Sequence, residues 1–254
     1  KKRNGRGTEK LDIDKIHSMV EYAVEDITGV SASQIEMNSG LQFYEGMTTD
    51  EIQQILIKSA SDLISLENPN YTYVAARLLL YSLRKKLFGK LWDHPHFADQ
   101  VKSCVDAKVY DSEIFENYER KDFDRMELWL KHDRDYDFTY AGLRQVIDKY
   151  LVQDRSTDQI FETPQFMYMM ISATLFAKYP KSTRMSYVKK YYDAISTFKI
   201  NIPTPVMAGV RTPMRQYASC VLVDVDDTLP SIFSSDMAIG RYVAQRAGIG
   251  INAG

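Results

Sequence analysis

Apolar residues recur at helical spacing in three stretches of the first 90 residues. In the first stretch, 14–29, they repeat every three or four positions and a glycine follows, which is typical of an amphipathic helix with a C-terminal stop. In the second stretch, Thr48 and Glu51 have the Thr-x-x-Glu spacing of a capping box and precede an apolar stripe. The third stretch, 71–89, predicts a helix that ends at Gly89.

Turn and strand patterns lie near the two ends of the chain. Lys2-Arg-Asn-Gly5 predicts a hairpin turn flanked by small strands, since Asn-Gly tolerates the positive φ angles of a tight loop. Residues 221–227 have strand character and precede a helix, and 246–254 is predicted as a glycine-punctuated loop. Further helical patterns lie near residues 98–107, 121–131, 164–178 and 183–197.

These patterns predict an α+β fold in three parts. Residues 1–90 are predicted as a helical bundle with a small β-sheet, and 91–200 as a mainly helical connector domain. Residues 201–254 are predicted as the first elements of another domain, which the chain leaves unfinished. The boundaries rest on Pro69, Pro95 and the change to strand character near residue 200.

Composition and charge exclude several classes of protein. The chain has 254 residues, 44% of them hydrophobic and 26% charged, which is ordinary for a globular protein. The sequence has neither a long apolar run nor a signal-peptide pattern, so we expect a cytoplasmic protein and no membrane interaction. A formal net charge of -2 gives no overall electrostatic case for nucleic-acid binding.

The two cysteines, Cys104 and Cys220, are far apart in sequence and lack the spacing of metal ligands. Neither a disulfide framework nor a metal site is therefore predicted. Cys220 lies in the apolar stretch 218–223, where an isolated cysteine is often a buried small hydrophobic residue. A reactive thiol at this position would need access to a substrate.

Several residues near the N-terminus are candidates for nucleotide binding. Thr49, at a predicted helix start, offers a hydroxyl beside backbone N–H donors, and Glu9 offers an acceptor for an adenine or ribose group. The scattered basic residues are also compatible with a solvated surface. Four of them lie on separate predicted elements and are candidates for a triphosphate site: Lys2, Arg3, Lys15 and Lys85.

Motifs at both ends resemble those of a known family. The doubled Thr-Pro between Thr204 and Pro213, the Arg-Gln-Tyr-Ala-Ser-Cys ending at Cys220, and the Gln-Arg-Ala-Gly-Ile-Gly-Ile-Asn-Ala-Gly ending at Gly254 resemble the start of the catalytic barrel in the large (alpha) subunit of class I ribonucleoside-diphosphate reductase. The N-terminal motifs are similar to the ATP-cone of that family: Lys2-Arg-Asn-Gly5, Thr8-Glu9, Asp14-Lys-Ile-His17, Phe43-Tyr-Glu-Gly46 with Thr49, Ala75-Ala-Arg77 and Arg84-Lys-Lys86.

The resemblance implies an ATP-cone in residues 1–90, a helical domain, and the first elements of a ten-stranded α/β barrel from residue 201. In the family, ATP bound to the cone activates the enzyme, and dATP inhibits it by changing the oligomeric state. One departure is that Arg6-Gly7 inserts a residue in the hairpin. The residues matching the allosteric ATP/dATP site are Lys2, Arg3, Glu9, Lys15, Ile16, Thr49, Ile52 and Lys85.

At the C-terminus the resemblance implies half of a catalytic site. Cys220 matches the cysteine that forms a disulfide with a second cysteine as the ribose is reduced. Asp227 could equally be a helix N-cap, and the other matching positions could be turn residues. The positions matching substrate-binding residues are Thr204, Ser219, Ala247 and Gly248. Those matching the specificity-effector (dNTP) site are Asp227, Thr228 and Leu229.

The resemblance also implies partners, since the family's radical cysteine and partner redox cysteine match nothing in this chain. We expect a C-terminal part of the large subunit on a separate chain, and a small radical-generating subunit that carries a diiron or similar cofactor. A dimer or higher oligomer, and thioredoxin or glutaredoxin as reductant, are also expected. This chain alone is expected to be inactive.

Two other functions are considered. A non-catalytic ATP/dATP-binding regulatory module would not need Cys220, Thr204 or Ser219. A cysteine hydrolase using Cys220 with His17 or His132 lacks a recognisable catalytic context. A dinucleotide-binding fold is excluded because the glycines after residue 247 lack the G-x-G-x-x-G spacing.

Overall fold

The computed structural model describes residues 7–40, 42–154, 156–214, 217–245 and 247–253. Contacts between Cα atoms divide the chain into two compact units. The first unit comprises residues 1–95, 131–151 and 162–165, and the second comprises 96–130, 152–161 and 166–254. No helix among the described residues has both the length and the apolar character that crossing a membrane requires. The fold is mixed α and β and mostly helical.

The first unit is built from helices within the described residues. Residues 7–12 have no regular secondary structure, and the predicted hairpin at residues 2–5 lies outside the described residues. Its elements are α1 (Ile13–Val24), α2 (Ala32–Gly40), α3 (Thr49–Ser61), α4 (Tyr71–Phe88), a 3-10 helix (His132–Asp137), α8 (Tyr140–Gln145) and a π-helical turn (Val146–Tyr150).

Local capping interactions fix the helix ends. The predicted capping box is confirmed: the Glu51 backbone N–H donates to Thr48 Oγ1 (3.1 Å), and the Thr48 N–H donates to the Glu51 carboxylate (2.7 Å). The predicted end of α4 is also confirmed, because Gly89 takes a left-handed conformation with φ of 72°. The prediction that the first helix reaches residue 29 is wrong: α1 ends at Val24, and the chain turns through Asp26, whose φ is 59°.

The longest helix, α4, forms the centre of the first unit. Most of its side chains are buried, and α1, α3, α8 and the 3-10 helix all pack against it. Leu78 and Leu80 are fully buried, and their removal from water is a main source of stability. A helix that is covered on several sides holds its neighbours in fixed positions.

The second unit contains six helices among its described residues before residue 210, and an antiparallel hairpin. Tyr118 fixes the packing, since its hydroxyl donates to the Ala173 carbonyl (2.8 Å) and its ring lies 4.4 Å from the Arg184 guanidinium. The elements are α5 (Phe97–Asp106), α6 (Ile114–Asn117), α7 (Arg120–Glu127), β1 (Gln153–Asp154), β2 (Gln159–Ile160), α9 (Pro164–Leu175), α10 (Arg184–Ser196) and α11 (Thr204–Gly209). Pro164 and Gln165, at the start of α9, group with the first unit.

The last described elements form a strand–helix–strand unit. Strand β3 (Cys220–Val225) is followed by α12 (Leu229–Ala244) and β4 (Gly248–Ala253), and the two strands pair in parallel. The prediction of a loop at residues 246–254 is therefore wrong for 248–253. A Cβ at Gly250 would lie 2.7 Å from Leu222 Cδ2, so a larger residue there would require the exposed Leu222 side chain to move.

A buried charge cluster lies beside α4 in the first unit. The Arg84 guanidinium is 1% exposed and donates to the Asp135 carboxylate (3.3 Å) and to the His132 carbonyl (2.9 Å). Gln165 Nε2 donates to the other Asp135 oxygen (2.9 Å). Removing one partner of such a buried pair costs about 3–5 kcal/mol, since the other charge stays buried.

Two stacked histidines lie next to this cluster. The His94 and His132 rings are parallel, with centroids 3.9 Å apart. Burial, with Arg84 nearby, lowers the pKa of His94 to about 4 and that of His132 to about 3. Both rings therefore stay neutral in the folded state at pH values where an unfolded chain would already protonate them.

We expect these histidines to destabilise the folded state in acid. Their pKa values are lowered on folding, so their contribution to stability is present above pH 6.5 and is lost as the pH falls towards 4. At pH 5 the loss should be on the order of 2 to 4 kcal/mol. Urea unfolding of the wild type and of a His94→Phe/His132→Phe variant, at pH 7 and pH 5, measures it. An equal loss in both proteins would contradict the assignment.

Candidate functional site

A cavity of about 1120 Å³ lies in the first unit. It is bounded by α1, the N-terminus of α3 and the C-terminus of α4, together with two non-helical segments, residues 8–12 and 43–47. Its lining residues are Thr8, Glu9, Lys10, Leu11, Asp12, Lys15, Ile16, Met19, Phe43, Tyr44, Glu45, Gly46, Met47, Thr49, Ile52, Gln53, Lys85, Lys86 and Gly89.

The cavity brings together the predicted allosteric residues that the structure describes. Glu9, Lys15, Ile16, Thr49, Ile52 and Lys85 all line it, although they come from four separate segments of the chain. Lys2 and Arg3 lie outside the described residues. The sequence predicted that the basic residues converge, and the fold does bring Lys15 and Lys85 to one cavity. Their contact with a nucleotide stays a prediction.

The lysines of the cavity lie close to acidic or sulfur groups. Lys15 Nζ lies 3.1 Å from Asp12, which raises the pKa of Lys15 and lowers that of Asp12 through their hydrogen bond. Lys86 Nζ lies 3.5 Å from Asp50, and Lys85 Nζ lies 3.8 Å from the Met19 sulfur. All three lysines line the cavity, so their ammonium groups are available for contact with an anionic ligand bound there.

The N-terminus of α3 contributes a second anion-attracting feature. Thr49 is the first residue of this helix, is half-buried, and lies where backbone N–H groups and the helix dipole favour negative charge. Glu51 lies in the same turn, but its carboxylate accepts from Thr48 and from the Tyr44 hydroxyl (3.0 Å). That hydrogen bond raises the pKa of Tyr44. The Glu51 charge is thus engaged within the cap.

An apolar wall faces these polar groups. Ile16 is 8% exposed, Met47 is 6% exposed, and Ile52 and Phe43 are half-buried along the same cavity. Ligand pockets of about 300–1,000 Å³ combine such a wall with a few polar groups. The cavity, at about 1120 Å³, therefore has the mixed lining of a ligand pocket and a volume just above this range.

The sequence-based list missed some lining residues. Tyr44, Lys86, Gln53 and Met19 also line the cavity. Tyr44 lies in the motif Phe43-Tyr-Glu-Gly46 and Lys86 in Arg84-Lys-Lys86. Because both motifs belong to the family resemblance, they could have identified these two residues from the sequence. Gln53 and Met19 occupy core-facing helix positions, so helical periodicity alone could not separate them from ordinary core residues.

A second group of predicted residues meets at the start of the parallel strand pair. Cys220 opens β3, is exposed, and lies opposite Gly248 in the strand register. The Gly248 N–H donates to the Ser219 carbonyl (2.9 Å), and Ala247 next to it is buried. The structure therefore brings Ser219, Cys220, Ala247 and Gly248 together. Thr204 begins α11, a separate element.

The two cysteines have different environments. Cys220 is exposed, so the interpretation of Cys220 as a buried small hydrophobic residue is wrong. Cys104 is buried on α5 and lies 3.3 Å from Gln100 Nε2. Of the two thiols, only Cys220 is accessible to a reaction partner in this structure.

The predicted effector residues lie at the start of α12. Thr228 is the N-cap, since its hydroxyl accepts from the Ser231 backbone N–H (3.4 Å). The alternative interpretation of Asp227 as the N-cap is therefore wrong. The Asp227 and Leu229 side chains are exposed.

Two family models match separate parts of the chain. Residues 1–86 match the ATP cone domain, and residues 136–215 match the all-alpha domain of ribonucleotide reductase. The ribonucleoside-diphosphate reductase subunit alpha of Haemophilus influenzae is 51% identical over 253 residues, which is 100% of this chain and 33% of the relative.

The chain belongs to the ribonucleotide reductase alpha-subunit family. The ribonucleoside-diphosphate reductase 1 subunit alpha of Escherichia coli K12 is 49% identical over 253 residues, again 100% of this chain and 33% of the relative. The subunit alpha of Enterobacteria phage T4 is 43% identical over 249 residues, 97% of this chain and 32% of the relative. The chain spans about a third of the length of the curated relatives it matches.

The family assignment agrees with the position of the cavity. All its lining residues except Gly89 lie within residues 1–86, the range that matches the ATP cone domain. Cys220 and the strand pair lie after residue 215, where the all-alpha match ends. The part of the chain that matches the ATP cone thus contains this cavity and the lysines that line it.

We expect Lys85→Ala to weaken dATP binding about tenfold to a hundredfold, since a hydrogen bond to a charged group contributes about 1.5–3 kcal/mol. Lys85 is half-buried at the cavity wall. Isothermal titration calorimetry on the full chain measures the change. Lys58→Ala is the matched control, because Lys58 lies on α3 in an exposed pair with Asp62 and does not line the cavity. Equal affinity of Lys85→Ala and wild type would refute the site.

Proposed function

We propose that this chain is the N-terminal part of a ribonucleoside-diphosphate reductase alpha subunit whose ATP cone binds ATP or dATP as an allosteric effector. The proposal rests on the cavity, because it collects lysines and apolar residues from five segments of the chain. The relatives are reductase alpha subunits, which supports the assignment of this activity to the complete protein.

The lining suggests how the effector is oriented. Lys15 and Lys85 hold the phosphates at the end of the cavity where α3 begins, with Thr49 donating from the first turn. Ile16 and Ile52 contact the base, and Glu9 accepts from the adenine amino group or a ribose hydroxyl. Lys2 and Arg3 complete the phosphate contacts.

The reaction assigned to the complete enzyme is the reduction of the ribose 2′ carbon. Two thiols are oxidised to a disulfide, and the two electrons and two protons that they release convert the 2′-hydroxyl into water and leave hydrogen at C2′. Cys220, exposed at the start of β3, is one of these thiols, and the second is on the C-terminal part of the subunit. Thioredoxin or glutaredoxin then reduces the disulfide.

The residues around Cys220 bind substrate in this proposal. Ser219 and Thr204 hydrogen-bond the ribose or diphosphate, and the backbone at Ala247 and Gly248 faces the base. Asp227, Thr228 and Leu229 hold the dNTP specificity effector. The hydrogen bond between Gly248 and Ser219 supports this arrangement, since it fixes the two backbone segments on either side of the Cys220 position.

The strand–helix–strand unit supports a larger sheet. Parallel sheets normally have both faces covered. Here Leu222 on β3 is 83% exposed and Phe233 on α12 is 67% exposed. We infer that further strands, supplied by the C-terminal part of the subunit, cover these residues and complete the ten-stranded α/β barrel. A small radical-generating subunit, with a diiron or similar cofactor, supplies the radical that starts the reaction in a cytoplasmic oligomer.

The first test is to isolate this chain under mild conditions from its native source and to sequence the accompanying polypeptides. We expect a polypeptide that carries the second redox cysteine and the radical cysteine, either continuous with these residues or as a companion chain, because the exposed apolar side chains need a covering surface. Recovery without such a polypeptide, together with dATP binding, would favour the alternative of a non-catalytic ATP/dATP-binding regulatory module.

We expect Cys220→Ser to abolish multiple turnover when the completed enzyme is supplied with a dithiol reductant, because a hydroxyl cannot form the disulfide. Production of deoxyribonucleoside diphosphate over many cycles is the measurement. Cys104→Ala is the matched control, since its thiol is buried on α5. Normal turnover by Cys220→Ser would rule out the redox role.

A further inference from the structure

Three consecutive residues of α4 contact two different surroundings. Lys85 and Lys86 line the nucleotide cavity, whereas the Arg84 side chain is 1% exposed and forms part of the buried charge cluster. Successive residues of a helix point about 100° apart, so one rotation or slide of α4 would move both sets of contacts. The position of the cavity lysines is therefore tied to the position of Arg84.

The other members of the Arg84 cluster lie outside the range that matches the ATP cone domain. Asp135 belongs to the 3-10 helix at 132–137, and Gln165 lies at the start of α9, while the cone match ends at residue 86. Both nevertheless group with the first unit. Asp135 has its two oxygens engaged, one by Arg84 and the other by Gln165, at 3.3 and 2.9 Å.

A second arginine of α4, Arg77, links the 3-10 helix at 132–137 to the end of α1. The Tyr136 ring lies 5.3 Å from the Arg77 guanidinium and 5.4 Å from that of Arg84. Arg77 also donates to the Glu25 carbonyl (2.6 Å), just after the C-terminus of α1. Residues 135–136 therefore contact α4, which carries Lys85, and Tyr136 is linked through Arg77 to the end of α1, the helix that carries Lys15.

We propose that the Arg84–Asp135–Gln165 cluster is a positioning device for the effector site, which holds α4 so that its lysines meet the nucleotide and couples nucleotide binding to the segment 131–151. This inference rests on the proposed function. A buried ion pair suits this role, since a small displacement of either partner leaves a charge uncompensated. A ligand that binds one arrangement of such a cluster better than another shifts the equilibrium towards the arrangement it prefers.

Protonation of Asp135 provides a readout that plain structural support would not change. Burial raises the pKa of Asp135 to about 6, against the opposing effects of Arg84 and Gln165. The other charged or titratable groups around the cluster are His132, Asp133 and Tyr136 on the 3-10 helix, with His94 and Arg77 beside them. If nucleotide binding needs the charged pair, bound nucleotide must lower the pKa of Asp135 by linkage.

The test is titration of the full chain with dATP by calorimetry between pH 5.5 and pH 7.5. We expect Asp135→Asn to weaken binding about threefold to tenfold at pH 7.5, although residue 135 does not line the cavity. The wild type should lose more affinity than Asp135→Asn as the pH falls, because only the wild type can protonate this carboxylate. Carbon NMR of Asp135 should show a lower pKa with dATP than without it.

A milder variant and a control keep the test decisive if Asp135→Asn folds poorly. Gln165→Leu removes the second hydrogen bond to Asp135 but leaves the ion pair, and should also weaken dATP binding about threefold. Asp148→Asn is the control, since its pair with Arg144 lies in the same segment but is exposed, and its affinity should match the wild type.

Two outcomes would overturn the inference in distinguishable ways. Wild type and Gln165→Leu that bind dATP equally, with an unchanged Asp135 pKa in the complex, would reject the positioning role while leaving the effector site intact. A wild-type chain that binds no dATP would reject the proposed function itself, and this inference with it.

Discussion

The burial of α4 is the constraint on which the first unit depends. Its apolar residues are covered by α1, α3, α8 and the 3-10 helix, so these elements share one support. Only near its C-terminus does the helix present charge in two directions, with Arg84 buried and Lys85 and Lys86 lining the cavity. Close packing transmits displacements between such groups, because a core resists gradual deformation.

The cavity is shaped by polar interactions that leave its lysines in place without a ligand. Lys15 is paired with Asp12, and Lys86 with Asp50, both near the protein surface. Exposed pairs of this kind contribute about 0–1 kcal/mol, so a polyanionic ligand can exchange them for stronger contacts at small cost. Charge balance in the free state and affinity for phosphate are therefore compatible.

The strand–helix–strand unit differs from the first unit, because its large apolar side chains are exposed and not buried. Its paired strands and the capped α12 are locally well formed, yet large apolar side chains such as Leu222 and Phe233 face solvent. Cys220 lies at the exposed start of this unit, opposite a glycine. Backbone pairing thus sets the position of the exposed Cys220 thiol relative to its neighbours, while the apolar side chains of the unit stay exposed in this structure.

The sequence by itself determined the features that depend on neighbouring residues: the capping box at Thr48, the stop of α4 at Gly89 and the strand that begins at Cys220. The tertiary structure alone decided that 248–253 is a strand, because pairing with β3 outweighs its glycines. It also placed the cavity residues of five segments together and paired Arg84 with Asp135. Contacts between distant residues depend on how the whole chain packs, and the local hydrophobic periodicity of a segment does not determine that packing.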